Sequence, residues 1–216
     1  MISPEAAFWP KIFVKNGTVH LAWFDAPRTD HRFAVWYRKG TNQGGQWNSD
    51  PIRLNSQSNF GYYPDLKVNN NTVHVVWNGS VSSDPFGNGD IYYTKSSDNG
   101  STWLEQVELT SNHQVMNNIS SGLNLNSNNP NQVYLSWVGG QTGGNKDIFF
   151  LRSNNNGTSW GSVENVTAGQ FGTHLLESPN LYSNQSEIGL IFSENVVNLW
   201  HKKNSLLTPV TLPVSY

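Results

Sequence analysis

An all-β fold of the propeller type is predicted by the sequence, and three observations support this prediction. Trp47, Trp103 and Trp160 lie 56 and 57 residues apart, and each closes a glycine-containing turn. Short apolar segments of β-type composition recur in step with these turns, four in each repeat. Four repeats of about 55 residues with four strands each are typical of propeller blades.

The strands follow one order in every repeat. The second strand gives the clearest signal, and its copies cover residues 19–23, 73–77, 133–137 and 188–192. A shorter first strand is expected around residues 12–14, 66–68, 123–125 and 181. The third strand follows at 33–37, 91–94, 148–151 and 196–200, and the fourth at 52–54, 107–109, 163–166 and 210–212.

These repeats predict one domain over residues 1–216. Their bounds are about 8–56, 57–112, 113–169 and 170–216, and the 216 residues suffice for a sizeable core. We expect a closed ring of four four-stranded blades. The alternative is half of a two-chain propeller or part of a larger one, because an open arc would leave apolar blade faces in water.

Three turns between third and fourth strands align without a gap, at residues 40–47, 96–103 and 153–160. Asp or Asn at the third position can accept hydrogen bonds from the amides ahead, and Gly two residues later supplies positive φ. Each closing Trp is expected to plug its hairpin. Trp23, Trp77 and Trp137 are expected in the core. The residues with a predicted structural role are Asn42, Gly44, Trp47, Ser96, Asp98, Gly100, Trp103, Ser153, Asn155, Gly157 and Trp160.

The turn Ser-Ser-Asp-Asn-Gly-Ser-Thr-Trp at 96–103 resembles the Asp-box, or bacterial neuraminidase repeat, of sialidase-like β-propellers. The two other copies depart from the box with Asn42 and Asn155 at the Asp position, and no copy is present around residues 203–207. The resemblance implies that these turns lie opposite the mouth of the central channel. It concerns the fold more than the activity.

Composition argues against several classes of function. The formal net charge is −2, and Lys and Arg are scattered, so we expect no nucleic-acid partner. No apolar run approaches the roughly 20 residues that span a bilayer, and residues 1–20 lack a secretory apolar segment. With no cysteine, disulfides, thiolate nucleophiles and cysteine-bound zinc are absent.

The chain contains 29 Asn and eight Asn-x-Ser/Thr sequons. The sequons begin at Asn16, Asn70, Asn78, Asn99, Asn118, Asn156, Asn165 and Asn184. In so Asn-rich a chain such triplets also arise by chance, so they do not establish glycosylation. Few charges, many Asn, Ser and Gly, and no Cys favour a protein outside the cell or on its surface.

Ligand binding is expected where the loops between second and third strands meet the loops between blades. In these loops Trp9, Arg28, His31, Tyr62 and Tyr63 combine flat apolar surfaces with hydrogen-bond donors. This combination suits a sugar ring, whose C–H face stacks while its hydroxyls form hydrogen bonds. The alternative is that these are ordinary solvated side chains.

Hydrolysis of the sialidase type makes stricter demands. The resemblance implies three arginines on the substrate carboxylate, a Tyr nucleophile with a Glu partner, and an Asp acid/base. The chain has Arg28, Arg32, Arg38, Arg53 and Arg152 only, and the segment 8–12 lacks the Arg of the family's N-terminal signature. Tyr182 with Glu177 or Glu187 is not singled out by spacing.

Paired-carboxylate chemistry is no better supported. The candidate carboxylates are Asp25, Asp30, Asp65, Asp84, Asp90, Asp147, Glu177 and Glu194, and sequence alone places no two of them together. We therefore assign no catalytic residue.

No cofactor or metal is expected. Residues 83–90 offer oxygen ligands for Ca²⁺ around Asp84 and Asp90, but the register and closing Glu of a dedicated loop are missing, so a plain turn is favoured. His20 and His74 occupy equivalent strand positions, which favours repeat inheritance over metal ligation.

The favoured hypothesis is a non-catalytic extracellular β-propeller that binds carbohydrate or another surface ligand. It has two alternatives: an exo-sialidase or related glycoside hydrolase, or a fragment of one, and a purely structural module of a cell-surface assembly. We expect a monomer, with a homodimer as the alternative.

Overall fold

A computed structural model describes residues 7–25, 33–48, 50–80, 89–110, 124–140, 146–171, 176–183, 188–195, 198–203 and 206–209. Within these ranges the regular structure is seventeen β-strands and one 3₁₀ turn, Asn42–Gly44. The all-β prediction is confirmed. No helix of the described part is long and apolar enough to cross a membrane.

The strands form four antiparallel sheets in sequence order. Sheet 1 contains β1 (Ala7–Lys15), β2 (Thr18–Asp25) and β3 (Ala34–Thr41), with β4 (Gln46–Trp47) and β5 (Ile52–Arg53) both on β3. Sheet 2 contains β6 (Phe60–Asn69), β7 (Thr72–Ser80), β8 (Asp90–Ser96) and β9 (Val107–Glu108). Sheet 3 contains β10 (Asn124–Asn129), β11 (Gln132–Gly140), β12 (Lys146–Ser153) and β13 (Glu164–Asn165). Sheet 4 contains β14 (Leu176–Ser183), β15 (Ile188–Glu194), β16 (Asn198–Lys203) and β17 (Leu206–Pro209).

Four repeats, each forming one antiparallel sheet, are thus confirmed as the local architecture; sheets 2 to 4 have four strands, and sheet 1 has the short β4 in addition to the four expected. The fourth strand of the last repeat is Leu206–Pro209, whereas the expected segment 210–212 lies outside the described residues. The chain divides into two compact units, Met1–Ile119 with sheets 1 and 2 and Ser120–Tyr216 with sheets 3 and 4. The single domain and the closed ring stay predictions.

Each unit has a core between its two sheets. In the first unit, Phe24 and Tyr37 of sheet 1 belong to one apolar cluster with Val75 and Trp77 of sheet 2. The second unit repeats this arrangement with residues of sheets 3 and 4: Tyr134, Val138, Ile148, Leu181, Leu190 and Phe192. Trp23, Trp77 and Trp137 are at most 1% exposed, which confirms their prediction as core residues.

The turn at 96–103 is held by its own side chains. Asp98 Oδ1 accepts hydrogen bonds from the Ser101 and Thr102 amides at 3.0 and 2.8 Å, and Thr102 Oγ1 donates to Asp98 Oδ2 at 2.6 Å. The Gly100 amide donates to Ser96 Oγ at 2.8 Å. These bonds, led by those of Thr102, lower the pKa of Asp98, so the carboxylate is ionised at neutral pH.

The third turn preserves this geometry with an amide in place of the carboxylate. Asn155 Oδ1 accepts from the Ser159 amide at 2.8 Å, and the Gly157 amide donates to Ser153 Oγ at 2.9 Å. Gly44, Gly100 and Gly157 have φ of 88°, 81° and 72°, which confirms the predicted positive φ in all three copies. The turn sequence therefore fixes the backbone conformation.

Candidate functional site

The candidate site lies where β1 and β6 begin. Both strands have a register shift around a residue that precedes proline, between Phe8 and Lys11 in β1 and between Tyr62 and Asp65 in β6. The bulged residues are Trp9 and Tyr63, with φ of 46° and 50°. A bulky residue at positive φ is strained, so the surrounding structure must hold both in place.

The two bulges bring four rings together. Trp9 meets Tyr63 edge to face with the ring centroids 5.0 Å apart, and it stacks on Phe24 at 6.0 Å. Phe8 stacks on Phe24 at 5.6 Å, and Tyr63 meets Phe24 edge to face at 5.2 Å. We call Phe8, Trp9, Phe24 and Tyr63 the aromatic platform. Its members come from three strands of two sheets, so packing between sheets 1 and 2 positions it.

The platform has an exposed side and a buried base. Trp9 is 49% exposed and Phe8 is 40% exposed, whereas Phe24 and Tyr62 are 4% and 5% exposed. Tyr62 meets Phe24 edge to face with the ring centroids 5.8 Å apart, and both residues belong to the core of the first unit. Burial raises the pKa of the Tyr63 phenol, which is therefore a neutral hydroxyl at physiological pH.

The five ligand-binding residues predicted from sequence do not all lie in the platform. Trp9 and Tyr63 meet in the platform, while Tyr62 lies in the core beneath it. Arg28 and His31 lie outside the described residues. Sequence reasoning missed Phe8 and Phe24, although Phe8-Trp9-Pro10 and Tyr62-Tyr63-Pro64 hold matching positions in their repeats.

One charge pair lies two residues beyond the bulges on the same strands. Lys11 Nζ and Asp65 Oδ1 are 4.0 Å apart, and their side chains are 46% and 14% exposed. Both residues directly follow the proline of their bulge. The polar edge of the platform therefore offers an ammonium donor and a carboxylate acceptor.

Two candidate carboxylates, Asp25 in sheet 1 and Glu194 in sheet 4, are bound to tryptophan. Asp25, 5% exposed, accepts from Trp23 Nε1 at 3.2 Å and from Trp36 Nε1 at 2.5 Å. In sheet 4, Glu194 accepts from Trp200 Nε1 at 2.7 Å. Because indole N–H groups point at them, these buried carboxylates link the second and third strands of their sheets.

Asp90 and Asp147 are engaged with threonines. Thr110 Oγ1 donates to Asp90 Oδ1 at 2.9 Å and accepts from the Ile91 amide, and Thr167 Oγ1 donates to Asp147 Oδ1 at 2.5 Å. Burial raises the pKa of Asp147, but the hydrogen bonds that it accepts from Thr167, Asn165 and the Gly169 amide outweigh this effect, and the pKa is lowered. Each carboxylate thus anchors the segment after the fourth strand.

The described arginines lie in structural positions. Arg38 donates from Nε and Nη2 to the Asn48 carbonyl at 2.9 and 2.6 Å, near the turn at 40–47. Arg53 Nε donates to Asn55 Oδ1 at 3.3 Å, and Arg152 is exposed, opposite Tyr134 in the sheet. Arg28 and Arg32 lie outside the described residues. Through these hydrogen bonds Arg38 and Arg53 support the segments around Asn48 and Asn55.

The paired histidines form hydrogen bonds within their own sheets. His20 Nδ1 lies 2.7 Å from Tyr37 Oη, and His74 Nδ1 lies 2.7 Å from Tyr93 Oη. Burial, helped by the charge of Lys39, lowers the pKa of His20 to about 4, so its ring is neutral at physiological pH. The equivalence of the two pairs agrees with repeat inheritance.

No group of three His, Asp or Glu side chains close enough to hold a metal is found among the described residues. The segment 83–90, for which a plain turn was favoured over a Ca²⁺ site, lies largely outside them, and its one described carboxylate, Asp90, accepts a hydrogen bond from Thr110. For the Tyr182 and glutamate pair, the ring of Tyr182 lies over Gly189. The side chain of Glu177 and all of Glu187 lie outside the description.

No protein-family model matches the sequence, and no curated protein matches it either. Solved structures match by shape. A Dyadobacter fermentans protein of unknown function superposes with a TM-score of 0.68 at 13% identity, over 94% of this chain and 68% of that one. Trypanosoma rangeli sialidase bound to the inhibitor DANA gives 0.64 at 10% identity, over 95% of this chain and 38% of that one.

A xylan β-1,4-xylosidase from Bacillus halodurans gives a TM-score of 0.59 at 14% identity, over 97% of this chain and 42% of that one. The chain therefore spans less than half of the sialidase and of the xylosidase. At such identities the likeness shows the fold alone, and that fold is the propeller type.

Proposed function

We propose that this protein is a non-catalytic β-propeller that binds carbohydrate through the aromatic platform. The observation that carries the proposal is the half-exposed indole of Trp9, in contact with Phe24 and Tyr63 on a strained backbone. Similarity of the fold to sialidase and xylosidase structures is consistent with a role that involves glycans.

The strain supports binding over accident. A non-Gly residue at positive φ costs on the order of 1–3 kcal/mol, and such residues concentrate at ligand clamps and active sites. Here two of them, Trp9 and Tyr63, hold the same position in neighbouring repeats and touch each other. The rings of these two strained residues meet edge to face.

The chemistry of the platform suits a sugar. An exposed indole face offers an apolar surface for the C–H face of a pyranose, and few but well-placed polar groups orient it. Lys11 can donate a hydrogen bond to a sugar hydroxyl, Asp65 can accept one from it, and the neutral Tyr63 hydroxyl can do either. Because Phe24 and Tyr62 pack beneath the exposed rings, the surface is preformed, which reduces the entropy cost of binding.

The turns at 96–103 and 153–160 fit the Asp-box reading. Their Asp or Asn side chain accepts amide hydrogen bonds, and their first Ser accepts from the Gly amide. In each copy the Trp is at least half-buried. We therefore assign these turns to the scaffold, in keeping with a site at the opposite end of the sheets.

A non-catalytic role is supported by the engagement of the candidate carboxylates. Asp25 and Glu194 accept from indoles, and Asp90 and Asp147 accept from threonines. A general acid or base needs a carboxyl group that reaches the scissile bond. These four are used to tie strands together.

We further propose that the protein acts outside the cell or at its surface, as a monomer. Its composition, with no Cys and many Asn, is the basis for the location. A second copy or additional blades would be the alternative cover for Ile12 and Val14, which are 66% and 58% exposed, whereas the matching Leu66 is 5% exposed. Solution mass by light scattering tests this assignment, since a dimer contradicts it.

The binding experiment uses a panel of immobilised neutral, sialylated and uronate glycans. We expect specific retention of the protein, inhibited by free sugar and reduced about tenfold or more by Trp9→Ala, a loss of about 1.4 kcal/mol. Two exposed apolar residues supply controls: Leu104→Ala in the segment between β8 and β9, and Ile12→Ala on the same strand as Trp9. Neither control should change retention.

Other outcomes would refute parts of the proposal. Absence of retention on every glycan would favour a purely structural module. Equal losses for Trp9→Ala and Ile12→Ala would assign the effect to the strand as a whole and not to the platform. Turnover of a fluorogenic sialoside that is lost in Arg28→Ala would overturn the non-catalytic role.

A further inference from the structure

The charge at the edge of the aromatic platform bears on the kind of glycan that it binds. Lys11 and Asp65 are opposite in sign and 4.0 Å apart, so the charges of this pair sum to zero. Lys11 is 46% exposed and can reach a ligand, and Asp65 retains 14% of its side-chain surface. The pair provides hydrogen-bonding capacity without a net positive field.

Neutral and acidic sugars respond to this pair in opposite ways. The hydroxyls of a neutral sugar donate to a carboxylate and accept from an ammonium, so both members contribute. A uronate or sialate carries a carboxylate that Asp65 repels, and Lys11 is already paired with Asp65. The sign of the effect of Asp65 on affinity therefore reports the charge of the ligand.

The exposure of the platform also bears on ligand length. Sites for a single small molecule bury most of the ligand surface in a concave pocket. The Trp9 and Phe8 rings are instead 49% and 40% exposed, and both stack on Phe24. Two adjacent exposed rings can support successive units of a polymer.

We propose that the platform binds a neutral polysaccharide, with an internal pyranose stacked on Trp9 and hydroxyls shared between Lys11 and Asp65. This inference rests on the proposed function, because it names the class of glycan for the same site. The inference argues against binding of a sialylated chain end, because the described part of the platform has no excess positive charge to pair with the sialate carboxylate.

The test compares two oligomers of equal length, neutral xylohexaose and acidic hexagalacturonate, by calorimetric titration of the whole chain. We expect xylohexaose to bind more tightly than hexagalacturonate and more tightly than xylose. Trp9→Ala should weaken xylohexaose binding about tenfold or more. Asp65→Asn and Lys11→Ala should each weaken it several-fold.

Lys15→Ala provides the matched control for Lys11→Ala, because Lys15 lies at the far end of β1. It should leave the affinity unchanged. Unfolding midpoints of all variants verify that they fold, and Asp65→Ser serves as a second variant if Asp65→Asn does not fold.

Each remaining outcome decides the matter. Tighter binding by Asp65→Asn, or Trp9-dependent preference for hexagalacturonate, overturns the neutral ligand but leaves carbohydrate binding intact. Retention on sialylated glycans alone in the panel, without xylohexaose binding, does the same. If neither the panel nor the oligomers bind, carbohydrate binding itself falls.

Discussion

Replacing Gly100 by Ala should destabilise the first unit by about 2–4 kcal/mol. Gly100 has φ of 81°, and an L side chain in the left-handed region costs on the order of 1 kcal/mol. The new Cβ would also lie 2.6 Å from Tyr37 Cζ and closer still to the hydroxyl, and overpacking of this kind adds roughly 1–3 kcal/mol. The clash is with sheet 1, so the cost falls on the packing of sheet 1 against the turn.

Gly17→Ala separates the two contributions. Gly17 also has positive φ, 73°, but a Cβ there meets nothing within 4 Å. It should cost about 1 kcal/mol, the backbone part alone. Guanidinium unfolding monitored by tryptophan fluorescence measures the free energy of unfolding of both variants. In thermal unfolding, the midpoint of Gly100→Ala should lie about 5–15 °C below that of the parent protein. If Gly100→Ala costs no more than Gly17→Ala, the packing of Tyr37 against the turn is wrong.

Three further predictions concern stability. Thr110→Val should cost about 1–3 kcal/mol in urea unfolding because it leaves the buried Asp90 carboxylate without its hydroxyl donor, and a change within error would contradict that anchor. His20 has a folded pKa of about 4, below its value of 6.5 in an unfolded chain, so protonation favours unfolding. Stability should therefore fall as the pH drops from about 6.5 to 4, and His20→Gln should flatten this part of the profile; an unchanged profile would refute it. Gly189→Ala should lower the melting temperature because its Cβ would overlap the ring of Tyr182, and a neutral effect would show that this ring moves away freely.

The strands were predictable because the repeat supplies the same information four times. A single segment such as residues 19–23 is ambiguous, but its copies at 73–77 and 133–137 share composition and spacing. Positive φ in the turns was predictable for a local reason, since Gly44, Gly100 and Gly157 follow an Asp or Asn at fixed distance. Both signals lie within a few residues of the structure that they specify.

The platform was only partly predictable, because it depends on contacts between sheets. Trp9 and Tyr63 could be proposed as surface aromatics, but Phe24 looked like any alternating residue of β2. The signal that could have found the site is the aromatic-aromatic-proline triplet shared by residues 8–10 and 62–64. The register shift does not need the aromatic residues, since β14 has one between Glu177 and Asn180, and the contacts that assemble the platform depend on strand pairing, which sequence alone does not supply.

The roles of the carboxylates were beyond sequence reasoning for the same reason. Asp25 and Asp90 both end or begin a strand at one end of their sheets and could equally have served catalysis. Their hydrogen bonds to Trp36 and Thr110 come from residues 11 and 20 positions away. Such pairings depend on how the strands align.

The most direct test of sugar binding by the platform follows the NMR signals of the indole N–H groups. The protein is titrated with the glycan that retains it best in the panel. The chain has nine Trp, and loss of one signal in Trp9→Phe assigns the indole of Trp9. If the sugar stacks on Trp9, this signal shifts on titration while those of the buried Trp23, Trp77 and Trp137 do not. Shifts confined to other tryptophans, with Trp9 unmoved at saturation, would contradict it.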